Sequence, residues 1–589
     1  MNNKKPSPVK SIVIVLVLLT ALNLVFLAWI GFPVIKKQFE PTSTKTALPT
    51  VTRTPTPTKT PLPDTPTPTP TMTATPENPV QIGLKKEGVF FLSLANSRYF
   101  HLYAYNPHFL SPTPLTNSTW DDIHPAVSPD GNFIAFSSKK TGFWDIYLLD
   151  LNTKDIRQVT NTQQYDGSPT WSPDGKWIAF ETYAEGHIEI ALVTPEDLTQ
   201  APVLLTTNLF ENYSPRWSPT GREIIFISNQ GGNEDVWLAN LDKIDDRFSN
   251  LSNTIDSKES HPAWSPDGKL IAWVSDIQNV KTVHVWDTQQ PTQPARPLGN
   301  GDWPVWSPLG DAVLTRITNP NQVSITIYNL ADGISILPLT IIPGSVDGID
   351  WKIQDFSYLT ESLLANNSDA EIPQLWKPIR TISPVPLEQE SLVPLEGVDA
   401  PNPVLIDSVD EAFRNLRSIV SGETGWDLLN KLEMAYQSNT EPIIPGMGNN
   451  WFTTGRAIAV NSAPLASDWM VTVRENIGSQ VFWRIYLKAT NQDGSQGRPM
   501  IQQPWDLNAR TSGVPSAYEQ GGGLKPIPAG YWVDFTELAY RFGWERQPAL
   551  SKWVTYYPAA RFNLFVMTGG IDWYTAMKAL YPPEIIPTP

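Results

Sequence analysis

His124-Pro-Ala-Val-Ser128-Pro-Asp-Gly131, Pro169-Thr-Trp171-Ser172-Pro-Asp-Gly175, Pro215-Arg-Trp217-Ser218-Pro-Thr-Gly221, His261-Pro-Ala-Trp264-Ser265-Pro-Asp-Gly268 and Pro304-Val-Trp306-Ser307-Pro-Leu-Gly310 are five copies of one phrase. Their serines recur every 42–47 residues, the period of a four-stranded propeller blade. In the second copy Thr170–Ser172 reads as a strand and Pro173-Asp174-Gly175 as a tight turn. Trp177–Phe180 is a second strand, His187–Leu192 alternates as a third, and Val203–Thr206 closes the unit. Asp-Gly between apolar runs is a hairpin signal, because Gly tolerates the positive φ that the turn needs. The same order recurs at Phe133–Phe136 with Trp144–Leu148, at Ile224–Phe226 with Asp235–Leu238, and at Leu270–Trp273 with Val283–Trp286. Gly88–Ser93 and Tyr99–Tyr105 make a first blade without the phrase. Gly348-Ile-Asp-Trp351 is a degenerate copy that would close the ring onto it. The expectation is an all-β, six-bladed propeller over residues 82–360. A seventh blade enters if the segment around Tyr358 and Trp376 pairs in.

The phrase resembles the Ser-Pro-Asp-Gly repeat of the TolB family (PD40, WD40-like), which is similar in turn to the N-terminal propellers of dipeptidyl-peptidase-IV-like enzymes. Such a ring needs no chemistry of its own, and its default role is to hold something. TolB-like proteins carry a small α/β domain before the propeller, and here an apolar segment and a Thr/Pro-rich stretch occupy that place. TolB's partnership with a lipoprotein is therefore not carried over. The peptidases carry an α/β-hydrolase domain after the propeller. No G-x-S-x-G elbow follows residue 360 and no histidine follows His284, so no Ser-His-Asp triad can be assembled in the C-terminal part.

Within the ring, Trp171, Trp217, Trp264 and Trp306 read as interblade core, with a sugar-stacking surface as the alternative. Asp130, Asp174 and Asp267 read as turn residues, with Ca²⁺ ligation as the alternative. His124 and His261 precede proline at matching positions and read as structural histidines, or as ligands at a ring mouth.

The N-terminal residues describe an anchor. Ser11–Ile35 carries no charge and would span about 37 Å as a helix, against a hydrocarbon core of roughly 30 Å. Lys4, Lys5 and Lys10 precede it and favour a cytoplasmic tail over residues 1–10. A cleaved signal peptide is the other reading of this segment. Residues 36–80 are dominated by Thr and Pro, cannot build a core, and read as a disordered stalk that in polyproline II would reach up to roughly 120 Å. The chain has a net charge of −16, and residues 80–589 alone carry −21. So acidic a body repels nucleic acid and anionic headgroups. With no cysteine, disulfides, thiolate metal sites and cysteine nucleophiles are excluded.

A Pro-rich linker over 361–404 leads to an α+β domain over 405–589. Ser408-Val-Asp-Glu411 reads as a capping box opening a helix that Gly422 stops. Leu428, Leu429, Leu432, Ala435 and Tyr436 mark a second helix. Trp469–Val473 and Val481–Leu487 read as a hairpin. Two later helices start at Asp534 and Asp572 as N-caps. Phe452-Thr-Thr-Gly455-Arg456-Ala-Ile-Ala459 and Gln503-Pro-Trp-Asp506 resemble two motifs of M15-type D-Ala-D-Ala carboxypeptidases. That family's zinc ligands would fall on Phe452, Ala459 and Asp506, and its catalytic glutamate on Gln503. Zn²⁺ needs three donor ligands from the protein and one carboxylate remains, so the resemblance implies a site without metal. Binding of a wall peptide or glycan around Trp451, Arg456 and Trp505 is what it leaves. Glu537 and Glu545 are the candidates for a metal-free carboxylate pair.

The sequence thus points to a membrane-anchored, extracytoplasmic binding or scaffold protein of the cell envelope. It would be single-pass, with no cofactor, metal or catalytic residue, and would engage an envelope protein or cell-wall polymer. The alternative is a peptidoglycan hydrolase or modifying enzyme centred on the C-terminal domain.

Overall fold

Six four-stranded antiparallel sheets follow one another around a ring in the computed structural model, which describes residues 87–96, 98–196, 200–277, 280–353, 390–440 and 449–587. Ser11–Ile35, the Thr/Pro-rich stretch, Tyr358 and Trp376 lie outside the described residues. Among the described residues, no helix is long and apolar enough to cross a membrane.

The innermost strands are Asp122–Val127, Asp166–Trp171, Asn212–Trp217, Lys258–Trp264 and Asp302–Trp306 in blades two to six. Blade one takes its innermost strand from the far end of the ring. Val346–Lys352 pairs antiparallel with Val89–Asn96, with Phe90 opposite Trp351. This is the closure expected from Gly348–Trp351, and it joins residues more than 250 apart in sequence.

The phrase earns its recurrence by two local devices. Ser128 Oγ donates to Asp130 (2.6 Å) and accepts from the Phe133 amide (3.0 Å), while Gly131 takes φ 70°. Ser172 with Asp174 (2.6 Å) and Ser265 with Asp267 (2.8 Å) repeat the bond. In the fifth copy, where Leu309 replaces Asp, Ser307 turns to Asp311 instead (2.7 Å). The tryptophans then tie blade to blade. The indole N–H of Trp171 donates to Ala126 O (3.0 Å), that of Trp264 to Arg216 O (3.3 Å) and that of Trp306 to Ala263 O (3.0 Å), each in the preceding blade. Trp217 instead bonds its own turn at Gly221 O (3.1 Å). They are interblade core, as expected. Losing one such ring would cost about 3–5 kcal/mol.

A second repeat, unread in the sequence, is a set of buried carboxylates at the start of the third strand. Asp145 accepts from Thr160 (3.2 Å), Glu189 from Thr206, and Asp235 from Ser252 (3.1 Å). In each blade that hydroxyl also accepts an amide of the third strand. The outermost strand is thereby stitched on through side chains.

The C-terminal fold departs from expectation in three places. Its long helix, α1 (Asp407–Thr424), runs through Gly422 and stops at Gly425, whose φ is 75°. The capping box read at Ser408 and Glu411 does not form; Ile406 stands at the N-cap, and Glu390, outside the helix, accepts the Ser408 amide instead (3.2 Å). The expected second helix is instead a 3₁₀ turn, Leu428–Asn430, and a strand, Leu432–Met434, paired with Ala457–Val460. Leu428, Leu429 and Leu432 are buried either way, so the burial pattern alone did not separate the two. Leu392–Pro394 pairs with Val404–Ile406, drawing residues read as linker into the domain core. The hairpin Met470–Ile477/Gln480–Lys488 is present. A short helix outside that expectation, α2 (Pro515–Gln520), precedes the two expected ones, α3 (Phe535–Arg541) and α4 (Trp573–Lys578), which are capped by Asp534 and Asp572.

This domain lies on the ring, on the face opposite the Ser-Pro-Asp-Gly turns. Tyr531 and Ala489 share one apolar cluster with Ala95, Phe100, Ile123, Trp144 and Tyr165. Arg541 lies 4.3 Å over the Phe100 ring and donates to Arg98 O (3.0 Å) and Asp121 (3.2 Å). Lys139 pairs with Glu423 (2.5 Å), and the Gly530 amide donates to Tyr183 Oη (2.6 Å).

Candidate functional site

Each inner strand contains the same irregularity. His124, Ser168, Ser214, His261 and Trp303 have φ between 49° and 55°, and each precedes a proline. The ladder to the neighbouring strand slips there, between Ile123 and Ala126 in blade two and at matching points in the others. Proline is tolerated because an innermost strand has one free edge and needs no donor on it. In blade one the position is Gly348, at φ 122°. A Cβ there would sit 2.8 Å from His124 Cα, so a side chain has no room. A non-glycine residue in this region costs on the order of 1–3 kcal/mol, and the repetition marks a bulge built for a purpose.

The bulges bring side chains together on the ring axis. Trp303 of blade six lies 4.4 Å from the His261 ring of blade five and 5.8 Å from the His124 ring of blade two. His124 Nε2 is 3.2 Å from Asp347 Oδ1 of blade one, and its Nδ1 is 3.3 Å from Ser168 Oγ of blade three. Only the channel is shared by five blades. Arg316 covers Trp303 at 5.1 Å and pairs with Asp302 (2.7 Å). From above, Arg498 of the C-terminal domain pairs with the second oxygen of Asp347 (2.9 Å). The channel mouth is therefore plugged by an indole among imidazoles and latched to the domain that covers it.

Burial would raise the Asp347 carboxyl, but His124 and Arg498 outweigh it and hold the group well below the usual range. Burial likewise raises Asp302, and Arg316 and Lys281 overcome it, leaving the carboxyl at about 2. Burial, reinforced by Arg316, pushes His261 down to about 3, so its imidazole is neutral at physiological pH. Ser168, His124 and Asp347 have the composition of a hydrolytic relay. Yet Asp347 is neutralised by Arg498 under a covering domain, and the serine and histidine repeat a blade position. The arrangement braces the ring across its axis.

The residues proposed from sequence are scattered. His124 and His261 do meet at the mouth. Asp130, Asp174 and Asp267 sit in their turns; a Ser265 hydrogen bond, with the Lys269 amide, holds Asp267 at about 2. Arg456 is 1% exposed and its guanidinium goes to Glu390 (3.1 Å) and Ser408 (3.2 Å). Trp505 is buried beneath the Arg474 guanidinium (4.0 Å), and Trp451 packs against the Trp573–Met577 cluster. Trp451, Arg456 and Trp505 thus serve separate cores and form no open surface. Phe452 lies in a 3₁₀ turn, Ala459 in a strand, and Asp506 caps the turn after it through the Asn508 amide (2.9 Å). Among the described residues, no three acidic or histidine groups cluster to hold a metal. Glu537 reaches Arg541 (3.4 Å), and Glu545, raised by burial, reaches Thr568 (2.8 Å).

An aromatic surface exists elsewhere. Trp426 and Trp469 meet edge-to-face at 5.9 Å and, with Asn461, Ala463, Pro464 and Ser467, line a shallow hollow of about 410 Å³. The two tryptophans are 43 residues apart in sequence, on a loop and at a strand entrance, so no spacing announces them.

Residues 112–310 match the family described as PD40, TolB beta propeller domain. The ring is thus a TolB-like propeller. Among solved structures the chain is similar to TolB from Acinetobacter baumannii, at 24% identity and TM-score 0.40, over 45% of this chain and 66% of that one. It is also similar to an oligogalacturonate lyase from Vibrio parahaemolyticus, at 11% identity and TM-score 0.33, over 44% and 80%. A puromycin-hydrolyzing peptidase of Mycobacterium tuberculosis matches at 16% identity and TM-score 0.33, over 52% and 45%. No curated protein matches.

Proposed function

We propose that this chain is a membrane-anchored, extracytoplasmic scaffold of the cell envelope that holds a protein or cell-wall ligand without catalysis. The observation that carries the reading is the TolB-like ring with one face occupied by its own C-terminal domain. That leaves the Ser-Pro-Asp-Gly face for an envelope protein. The uncharged Ser11–Ile35 and the acidic body beyond the Thr/Pro-rich stretch support a single-pass anchor with the ring outside. A wall polymer would stack on Trp426 and Trp469, whose flat faces and neighbouring Asn461 and Ser467 suit sugar rings.

Cross-linking pull-down of the full chain from its native envelope, with peptidoglycan co-sedimentation alongside, tests this. The expected result is recovery of a defined envelope protein or of wall fragments, the latter lost in Trp469→Ala. Failure to retain either, with the protein folded and membrane-associated, ends the proposal.

A further inference from the structure

The two tryptophans of the aromatic hollow form a corner that is fixed before any ligand arrives. Trp426 and Trp469 stand at 88° to one another. The backbone of Lys488 ties them together: its carbonyl accepts the Trp426 indole N–H (2.9 Å) and its amide donates to Trp469 O (2.9 Å). Beside them runs the 3₁₀ turn Ala463–Ser467, whose Pro464 carbonyl accepts the Trp469 amide (3.0 Å). Trp469 is nonetheless 39% exposed, so an apolar face is held open to solvent by a rigid frame. Such pre-organisation lowers the entropic cost of taking a ligand. The hollow's volume of about 410 Å³ lies near the low end of small-molecule sites, roughly 300–1,000 Å³, the scale of a mono- or disaccharide.

Charge and hydrogen bonding narrow the ligand. None of the lining residues is charged. The acids beside them in sequence are paired off, Asp427 with Arg417 (2.8 Å) and Asp468 with Lys525 (3.0 Å). A uronic acid, a phosphate polymer or a peptide terminus therefore meets no counter-charge in the lining. Asn461 Oδ1 already accepts the Ala463 amide (3.1 Å), which leaves its Nδ2 hydrogens as donors. Ser467 Oγ donates to Pro464 O (3.3 Å), which leaves its lone pairs as acceptors. Among the described residues, neither Asn461 Nδ2 nor those lone pairs has a partner. One donor and one acceptor beside an apolar wall match the carbonyl, the N–H and the methyl group of an acetamide.

We propose that this corner recognises an N-acetylhexosamine unit of a neutral glycan. The pyranose stacks its axial C–H face on Trp469, and the acetyl methyl packs against Trp426. Asn461 Nδ2 donates to the acetamide carbonyl, and Ser467 Oγ accepts the acetamide N–H. The inference rests on the wall-polymer reading above and adds which sugar that polymer must carry.

Saturation-transfer NMR titration of the full chain with N,N′-diacetylchitobiose, its deacetylated form and cellobiose tests it. These sugars share a β-1,4-linked pyranose backbone and differ in the substituent that carries the acetamide. The acetylated sugar should bind with a Kd of about a millimolar, its acetyl methyl the most strongly saturated group. The other two should bind about tenfold more weakly. Trp469→Phe keeps a flat ring and holds affinity to within about threefold, whereas Trp469→Ala abolishes binding. Asn461→Asp keeps the bond to the Ala463 amide but replaces the donor with an acceptor. It should weaken the acetylated sugar about tenfold and leave cellobiose unchanged. Equal binding of all the sugars, or an Asn461→Asp variant that keeps the preference, overturns the acetamide assignment and leaves wall binding standing. If no sugar binds while the chain still sediments with peptidoglycan, the corner is ruled out and the wider reading survives; loss of both ends both.

Discussion

Asp166 opens the inner strand of blade three with no surface exposure. Its oxygens accept from Thr182 Oγ1 (2.7 Å) and Thr162 Oγ1 (3.1 Å), and among the described residues no cation pairs with it. Burial pushes its carboxyl up from the ordinary 3.8 to about 7, outweighing those hydrogen bonds. The raised group binds its proton more tightly in the folded chain than in the unfolded one. Its contribution is fully present below the unfolded pKa and is lost as pH rises through the folded one. Between pH 5 and pH 8.5 that linkage removes about 2–3 kcal/mol of stability. Asp166→Asn imitates the protonated form and cancels the term. Urea unfolding of both proteins at pH 5, 6, 7 and 8.5 should show the variant gaining about 2–3 kcal/mol on the parent across the series. Asp122, raised to about 6 by burial, is common to both and drops out of the difference. A difference that stays flat within about 0.5 kcal/mol, or grows toward acid pH, would refute the reasoning.

Two more perturbations follow from the latch and the turns. Arg498→Met leaves Asp347 with His124 alone. It should cost about 1.5–3 kcal/mol and make the C-terminal domain more susceptible to limited proteolysis; an unchanged Tm and digest would remove the latch. Ser172→Ala breaks the bond to Asp174 and should cost about 0.5–1.5 kcal/mol, while EDTA should leave the parent's Tm unaltered. A Tm fall in EDTA reversed by Ca²⁺ would make the turn aspartates ligands after all.

What could be read along the chain is what acts over a few residues. Ser128 to Asp130, Gly131 at positive φ, and the Asp534 and Asp572 caps each work within three positions. The period of the phrase then announces a ring, since each blade must bury the apolar residue before its serine, Val127 or a tryptophan, between neighbouring sheets. Leu428 to Leu432 was misread because burial at those positions suits a turn and strand as well as a helix. The end of α1 was misplaced because an interior Gly costs a helix only about 1 kcal/mol, which the burial of Phe413, Leu416 and Val420 overrides. Arg456 looked like a binding residue because sequence gives no sign that Glu390 and Ser408 close over it.

Residue types and spacing by themselves determined the repeat, its turns and the apolar faces, because hydrogen bonds across a tight turn and alternation along a strand need no distant partner. The plug of His124, Trp303 and His261 and the Arg498 latch were decided only in three dimensions. Those groups lie up to 374 positions apart and meet because the last strand pairs with the first. Chain closure, a long-range event, is what converts six local bulges into one shared axis.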